Sequence, residues 1–309
     1  LDYDSAKGNG LTKVTLIDSR TAGISGDMLL AAFIDAGADV KIVQRSLDEI
    51  PKHYSKCKSL RLGVSEVKRH GFRGTGVEFA ISEEPNEVPA GMLLSSAERI
   101  AFASGISQKA ASFAVNSIKT LLQAEGKVHG VSGAHPHLHE AGSADTLADV
   151  FGIAAACDSL GIFEGQVCCT PVAVGGGTVS FSHGTMSSPA PATLEILREK
   201  GVPIVPGAEP TELATPTGAS ILVNLAIRVV EEYPAMVPEK VGYGAGKREL
   251  TSAPNLLRVV VGRALDDGIQ SDSVQVLETN LDDLSGEVLA YALNRLLESG
   301  AKDVWITSA

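Results

Sequence analysis

No run of about 18 apolar residues free of charge occurs in these 309 residues, which removes a transmembrane helix from consideration. Leu1 to Gly10 carries no basic segment leading into an apolar one, so the sequence reads as cytoplasmic, with no membrane partner. Positive charge is scarce: 26 Lys and Arg stand against 37 Asp and Glu, a formal charge of −11 that repels a phosphate backbone and excludes nucleic acid as an expected partner. The same field favours small cations. Cys57, Cys157, Cys168 and Cys169 show no CxxC spacing, and adjacent Cys168 and Cys169 on a strand point to opposite faces. They read as buried, reduced thiols. A Walker loop, a strand-following GxGxxG, an internal repeat and a sustained heptad are all missing, so a standard ATPase, dehydrogenase or solenoid has no foundation here. Self-association into a homo-oligomer is left open.

What is present is ordinary globular composition, 44% hydrophobic and 20% charged. Val14 to Ile17 reads as a strand, followed by the GISGDM turn (residues 23–28) and a helix over 28–36 stopped at Gly37. Paired strands are expected at 60–67 and 76–81, and helices at 92–103, 107–125, 144–160, 192–200 and from TPTG (215–218) through 227. Further strands are expected at 167–174, 178–181 and 256–261. The fold class is therefore α+β: a larger mixed region over 12–262, a hydrophilic linker at 263–273, and the incomplete start of a second α+β domain over 274–309. Within that second segment, the pattern at 274–279, 286–299 and 303–307 reads strand, helix, strand.

The densest chemical constellation is HPHLHEAGSADTLAD, residues 135–149, on a loop that enters a helix. Mixed imidazole and carboxylate donors suit borderline-soft divalent ions such as nickel and zinc. His137 and His139 face one way on an extended loop, Glu140 follows, and Asp145 and Asp149 lie one helical turn apart, as ligands or as partners orienting the histidines. A solvated histidine loop and an acidic helix start are the alternative. His183 follows a glycine turn from which it could return to such a site. Thr215, Thr217 and Gly218 in TPTG offer hydroxyls and helix N–H groups to an anion; simple capping by Thr215 is the alternative. Asp27 in GISGDM is either a substrate contact or a helix-start acid. Lys247 and Arg248, after the glycines of GYGAG, are candidate phosphate contacts.

Taken in order, GISGDM (23–28), HLHEAGSADTLAD (137–149), HG (183–184) with PAPAT (189–193), ELATPTGA (212–219), GYGAG (242–246) and ETNLDDLSGE (278–287) resemble the nickel-insertion proteins of nickel-pincer nucleotide biosynthesis. The likeness covers nearly the whole chain. It implies a cyclometallase that inserts nickel into pyridinium-3,5-bisthiocarboxylic acid mononucleotide, with CTP and manganese or magnesium required, to make the cofactor of lactate racemase-type enzymes. It implies metal contacts at His137, His139, Glu140, His183 and Asp145, a general-base role for Glu140, and substrate contacts at Asp27, Thr215, Thr217 and Gly218. In the family the AKDVWITSA segment continues into a CTP-associated C-terminal part, whereas this sequence stops at Ala309, either as a fragment or as a protein that lacks that part. Two other classes remain on the table: a nickel-delivery module without chemistry, and a metal-dependent hydrolase.

Overall fold

The computed structural model describes residues 12–84, 88–130, 137–138, 143–181, 184–207, 209–265 and 276–307. Contacts divide the chain into a unit over 1–266 and another over 267–309.

In the first unit, β1 (Lys13–Asp18) leads through the GISGDM turn into α1 (Gly26–Asp35), then α2 (Val40–Leu47), the short α3 (Ile50–His53) and a long hairpin of β2 (Cys57–Arg69) and β3 (Phe72–Glu83). After β4 (Val88–Pro89) come α4 (Ala90–Ala103) and α5 (Gln108–Val128), then β5 (His137–Leu138), α6 (Ala144–Ser159), β6 (Gln166–Cys169) and β7 (Val172–Ala173). The small hairpin β8 (Thr178–Phe181) and β9 (Gly184–Ser187), α7 (Pro191–Glu199), β10 (Ile204–Val205), α8 (Pro216–Leu225) and β11 (Arg228–Val229) precede the closing pair β12 (Met236–Ala245) and β13 (Leu256–Ala264). The fold is α+β.

Seven strands form one mixed sheet in the order β11-β6-β1-β13-β12-β3-β2. β1 is parallel to β6 and antiparallel to β13, so it sits inside the sheet with Val14, Thr15, Leu16 and Ile17 all buried. A strand covered on both faces reads as a continuous apolar run, which is why the period-two alternation is missing there. Ile17 and Cys169 face the main core under the helices, whereas Val14, Leu16 and Cys168 belong to a smaller cluster with Val260 on the other face. The adjacent cysteines do point to opposite faces, and all four thiols are buried and free.

The expected strand over 167–174 is two strands instead. Pro171 has no N–H to give a ladder, and the Thr170 hydroxyl accepts a hydrogen bond from the Ser19 amide at 3.0 Å, so the chain leaves β6 and re-pairs as β7 with β10. The segment at 236–245 is a strand that its glycines conceal. A Cβ at Gly242 would lie 2.0 Å from the Ala32 carbonyl oxygen, and one at Gly244 1.8 Å from that of Met28. The glycines are bare so that α1 can lie directly on β12.

The second unit shows α9 (Gly286–Glu298), with the Ser285 hydroxyl accepting from the Val288 amide at 3.4 Å. No strand occurs at 276–279 or 303–307, contrary to expectation. A strand exists only as part of a ladder, and the described residues of this unit supply no second one.

Candidate functional site

Three glycine-bearing segments far apart in sequence are stitched together by backbone hydrogen bonds. The Ile24 amide donates to the Leu213 carbonyl at 2.9 Å, and the Thr215 amide to the Ile24 carbonyl at 3.0 Å, joining GISGDM to ELATPTG. The Gly176 amide donates to the Thr211 carbonyl at 3.2 Å, and that of Leu213 to the Val174 carbonyl at 3.3 Å, which adds the glycine run after β7. Gly23 has a φ of +69°, and a Cβ there would stand 2.2 Å from the Leu213 carbonyl oxygen. Both its conformation and the closeness of the Leu213 backbone call for glycine.

This stitching opens a pocket of about 660 Å³. The N-termini of four helices reach its wall: Ser25 before α1, Ser143 before α6, Ala190 before α7 and Thr215 before α8. Asp27, Asp145, Asp149, Thr215, Thr217, Lys247 and Arg248 line it, so seven of the sequence candidates converge. The Thr215 hydroxyl accepts from the Gly218 amide at 3.1 Å, which is the capping arrangement. Gly218 itself allows contact between α8 and the GISGDM turn, since a Cβ would meet the Ile24 carbonyl oxygen at 2.5 Å. His137 is placed by its backbone alone, in β5 opposite Pro89. His139, Glu140 and His183 lie outside the described residues. The chain leaves α5 at His129 and re-enters at Ser143, and both of these line the pocket.

Among the described residues, five carboxylates line the pocket (Asp27, Glu125, Asp145, Asp149 and Glu212) beside two cations, Lys247 and Arg248. Asp27 is tied down: its Oδ1 accepts from the Met28 amide at 2.9 Å and from the Ser25 hydroxyl, and its Oδ2 stands 3.4 Å from Lys247 Nζ. Asp27 and Asp145 both occupy first helical turns, where the helix field favours negative charge. Arg248 donates to the Thr211 hydroxyl at 2.6 Å.

Asp149 is different. It is 6% exposed, and its Oδ1 has no hydrogen-bond partner. Burial raises its carboxyl well above the ordinary range, and the nearby Asp145 and Asp27 charges add to the rise, against a smaller opposing pull from Lys247. Asp145, though open to the pocket, is also raised, chiefly because the walls displace water; Lys247 opposes the rise and the weaker charge of Asp27 adds to it. Desolvation pulls the Lys247 ammonium down, but the charges of Asp27 and Asp145 outweigh it and leave it raised, hence fully protonated near neutrality. Room for Asp149 is made by Gly26, where a Cβ would be 2.2 Å from the Asp149 Oδ2.

Among the described residues, no group of three or more His, Cys, Asp and Glu is arranged to hold a metal ion. None of their helices is long and apolar enough to cross a membrane. Glu125 and Asn255 line the pocket without any sequence signal. Glu125 sits on the face of a long amphipathic helix, 3.5 Å from His129, and Asn255 reads only as the polar start of a strand.

The family model described as nickel insertion protein matches residues 15–309. A protein of Methanothermobacter thermautotrophicus described as "Putative nickel insertion protein" is 41% identical over 299 residues, 95% of this chain and 69% of that one. Proteins so described from Dictyoglomus thermophilum and Methanothrix thermoacetophila are 37% and 38% identical, over 93% of this chain and 70% and 69% of theirs. No solved structure matches. A match over nearly the full chain, together with relatives more than 30% identical over most of it, shows that the protein belongs to the nickel insertion family.

Proposed function

We propose that the chain inserts nickel into pyridinium-3,5-bisthiocarboxylic acid mononucleotide, as a cyclometallase of the lyase class that uses CTP with manganese or magnesium. The observation that carries this is the convergence of the family's motifs on one pocket whose wall holds more carboxylates than cations. That polarity suits both ingredients: a divalent metal and a pyridinium ring are cations, and their attraction to a partly desolvated acidic wall exceeds what bulk water allows. The anionic end of the mononucleotide finds Lys247, Arg248 and the helix N-termini around Thr215 and Thr217.

In this reading His137, His139, Glu140, His183 and Asp145 hold nickel before transfer. Nitrogen and oxygen donors bind it firmly enough for delivery yet release it to two softer sulfur atoms. Forming the nickel–carbon bond breaks a ring C–H bond: the carbon keeps the electron pair and gives it to the metal, and a base takes the proton. Glu140 is assigned that role, so Glu140→Gln should slow product formation without loosening substrate binding.

The test is an insertion assay: purified chain, nickel, the bisthiocarboxylate mononucleotide and manganese-CTP, read by mass spectrometry of the small-molecule product. Nickelated product supports the proposal. Stoichiometric nickel binding with no product, even when the C-terminal part of a relative is supplied, would replace it with metal delivery alone.

A further inference from the structure

Asp149 and Asn255 each bring to the pocket a buried oxygen without a partner, and they are placed on different elements. Asp149 belongs to α6, and Asn255 directly precedes β13; each is 6% exposed, each lines the pocket, and the Oδ1 of each has no hydrogen bond. Leaving such an atom unsatisfied is costly, and most buried polar atoms in native proteins avoid it. Neither side chain is loosely placed. Asn255 Nδ2 donates to the Arg248 carbonyl at 2.9 Å, which orients the amide and leaves its oxygen as the available acceptor. The Gly246 amide donates to the Asn255 carbonyl at 3.0 Å. Asp149 is seated by the bare Gly26 against its Oδ2.

A ligand that uses both residues brings a hydrogen-bond donor for the Asn255 oxygen and a group able to meet Asp149 as either acid or carboxylate. A metal ion is a poor match, because the described carboxylates do not form a ligand cluster. A ligand ammonium would compete with Lys247, whose charge already serves this part of the wall. Hydroxyl groups fit on two counts. They donate to the Asn255 oxygen, and they can either donate to or accept from Asp149, whichever of its protonation states is present. A vicinal diol supplies two such groups on adjacent carbons, and a carboxylate is a standard partner for ribose hydroxyls.

We propose that Asp149 and Asn255 hold the ribose of the mononucleotide through its 2′- and 3′-hydroxyls. This rests on the pocket being the mononucleotide site. Both residues bind substrate and take no part in bond making.

The test is calorimetric titration of the whole chain with nicotinic acid mononucleotide, which keeps the pyridinium, ribose and phosphate, and with its 2′,3′-dideoxy form. On the wild-type chain the dideoxy form should bind about tenfold more weakly or worse, the size expected for losing a hydrogen bond to a charged or buried acceptor. In Asp149→Ala combined with Asn255→Ala, the two forms should bind with the same reduced affinity. Equal affinities on the wild-type chain would overturn the sugar assignment and leave the mononucleotide site standing. Failure of both forms to bind the wild-type chain would overturn the mononucleotide site, and this assignment with it. Because the wild-type comparison changes only the ligand, it does not depend on the variant folding.

Discussion

Replacing Asp149 by asparagine should make the protein more stable at pH 8, although the side chain is at the heart of the candidate site. The carboxyl is buried on α6, with an oxygen that no protein group satisfies, and burial together with Asp145 and Asp27 lifts it well above the ordinary carboxylate range. Below about pH 4, the unfolded value, both states hold the proton and the group contributes no pH dependence. Between there and its raised native value, the unfolded chain has released the proton while the native protein keeps it, so stability falls as pH rises. Each pH unit of that window removes about 1.4 kcal/mol. Asparagine matches the protonated acid in shape and removes this dependence. A gain of about 1–3 kcal/mol at pH 8 is expected, the usual scale for an uncompensated buried polar group. At about 2–4 °C per kcal/mol for a domain of this size, the melting temperature should rise by several degrees. The assay is calorimetric melting of both proteins from pH 4 to pH 8. The gap should open upward from about pH 4; equal melting temperatures at pH 8, or a gap that is widest at pH 4, would refute the argument.

Lys247→Met should act in the opposite sense, destabilising the protein at pH 8, where it removes the counter-charge of Asp27 and Asp145, and less near pH 4, where the raised Asp145 carboxyl takes up its proton; a pH-independent loss in the same melting series would count against it. Gly244→Ala places a methyl group 1.8 Å from the Met28 carbonyl oxygen, so α1 has to lift from β12, and a cost of about 1–3 kcal/mol should appear as a lower urea midpoint. An unchanged midpoint would show that the glycine is not needed for that contact. His137→Ala combined with His139→Ala should abolish stoichiometric nickel binding by equilibrium dialysis, and undiminished affinity would remove both residues from the metal site.

Local order was legible wherever it depends on neighbours in the chain. The buried run Val14–Ile17, the Thr215 cap and the opposed thiols of Cys168 and Cys169 all follow from period, capping chemistry and the strand pleat. The metal candidates His139, Glu140 and His183 lie outside the described residues, so they remain readings of a motif. Three things were concealed. The glycines of β12 look like turn residues, because their use is the room they leave for a helix more than 200 positions earlier. Pro171 divides a run that otherwise reads as one strand. Glu125 and Asn255 belong to no motif, since a lone polar residue gains meaning from what faces it.

The residues and their order were sufficient for the fold class, most helices and the family, because capping, periodicity and motif succession are properties of the chain alone. The sheet order and the pocket were decided by long-range pairing. Backbone hydrogen bonds from Ile24 to Leu213 and from Gly176 to Thr211 join segments that have no relation in sequence. Burial then sorts the carboxylates they assemble, leaving Asp27 ion-paired and Asp149 without a partner, because desolvation depends on the surroundings that the completed fold supplies.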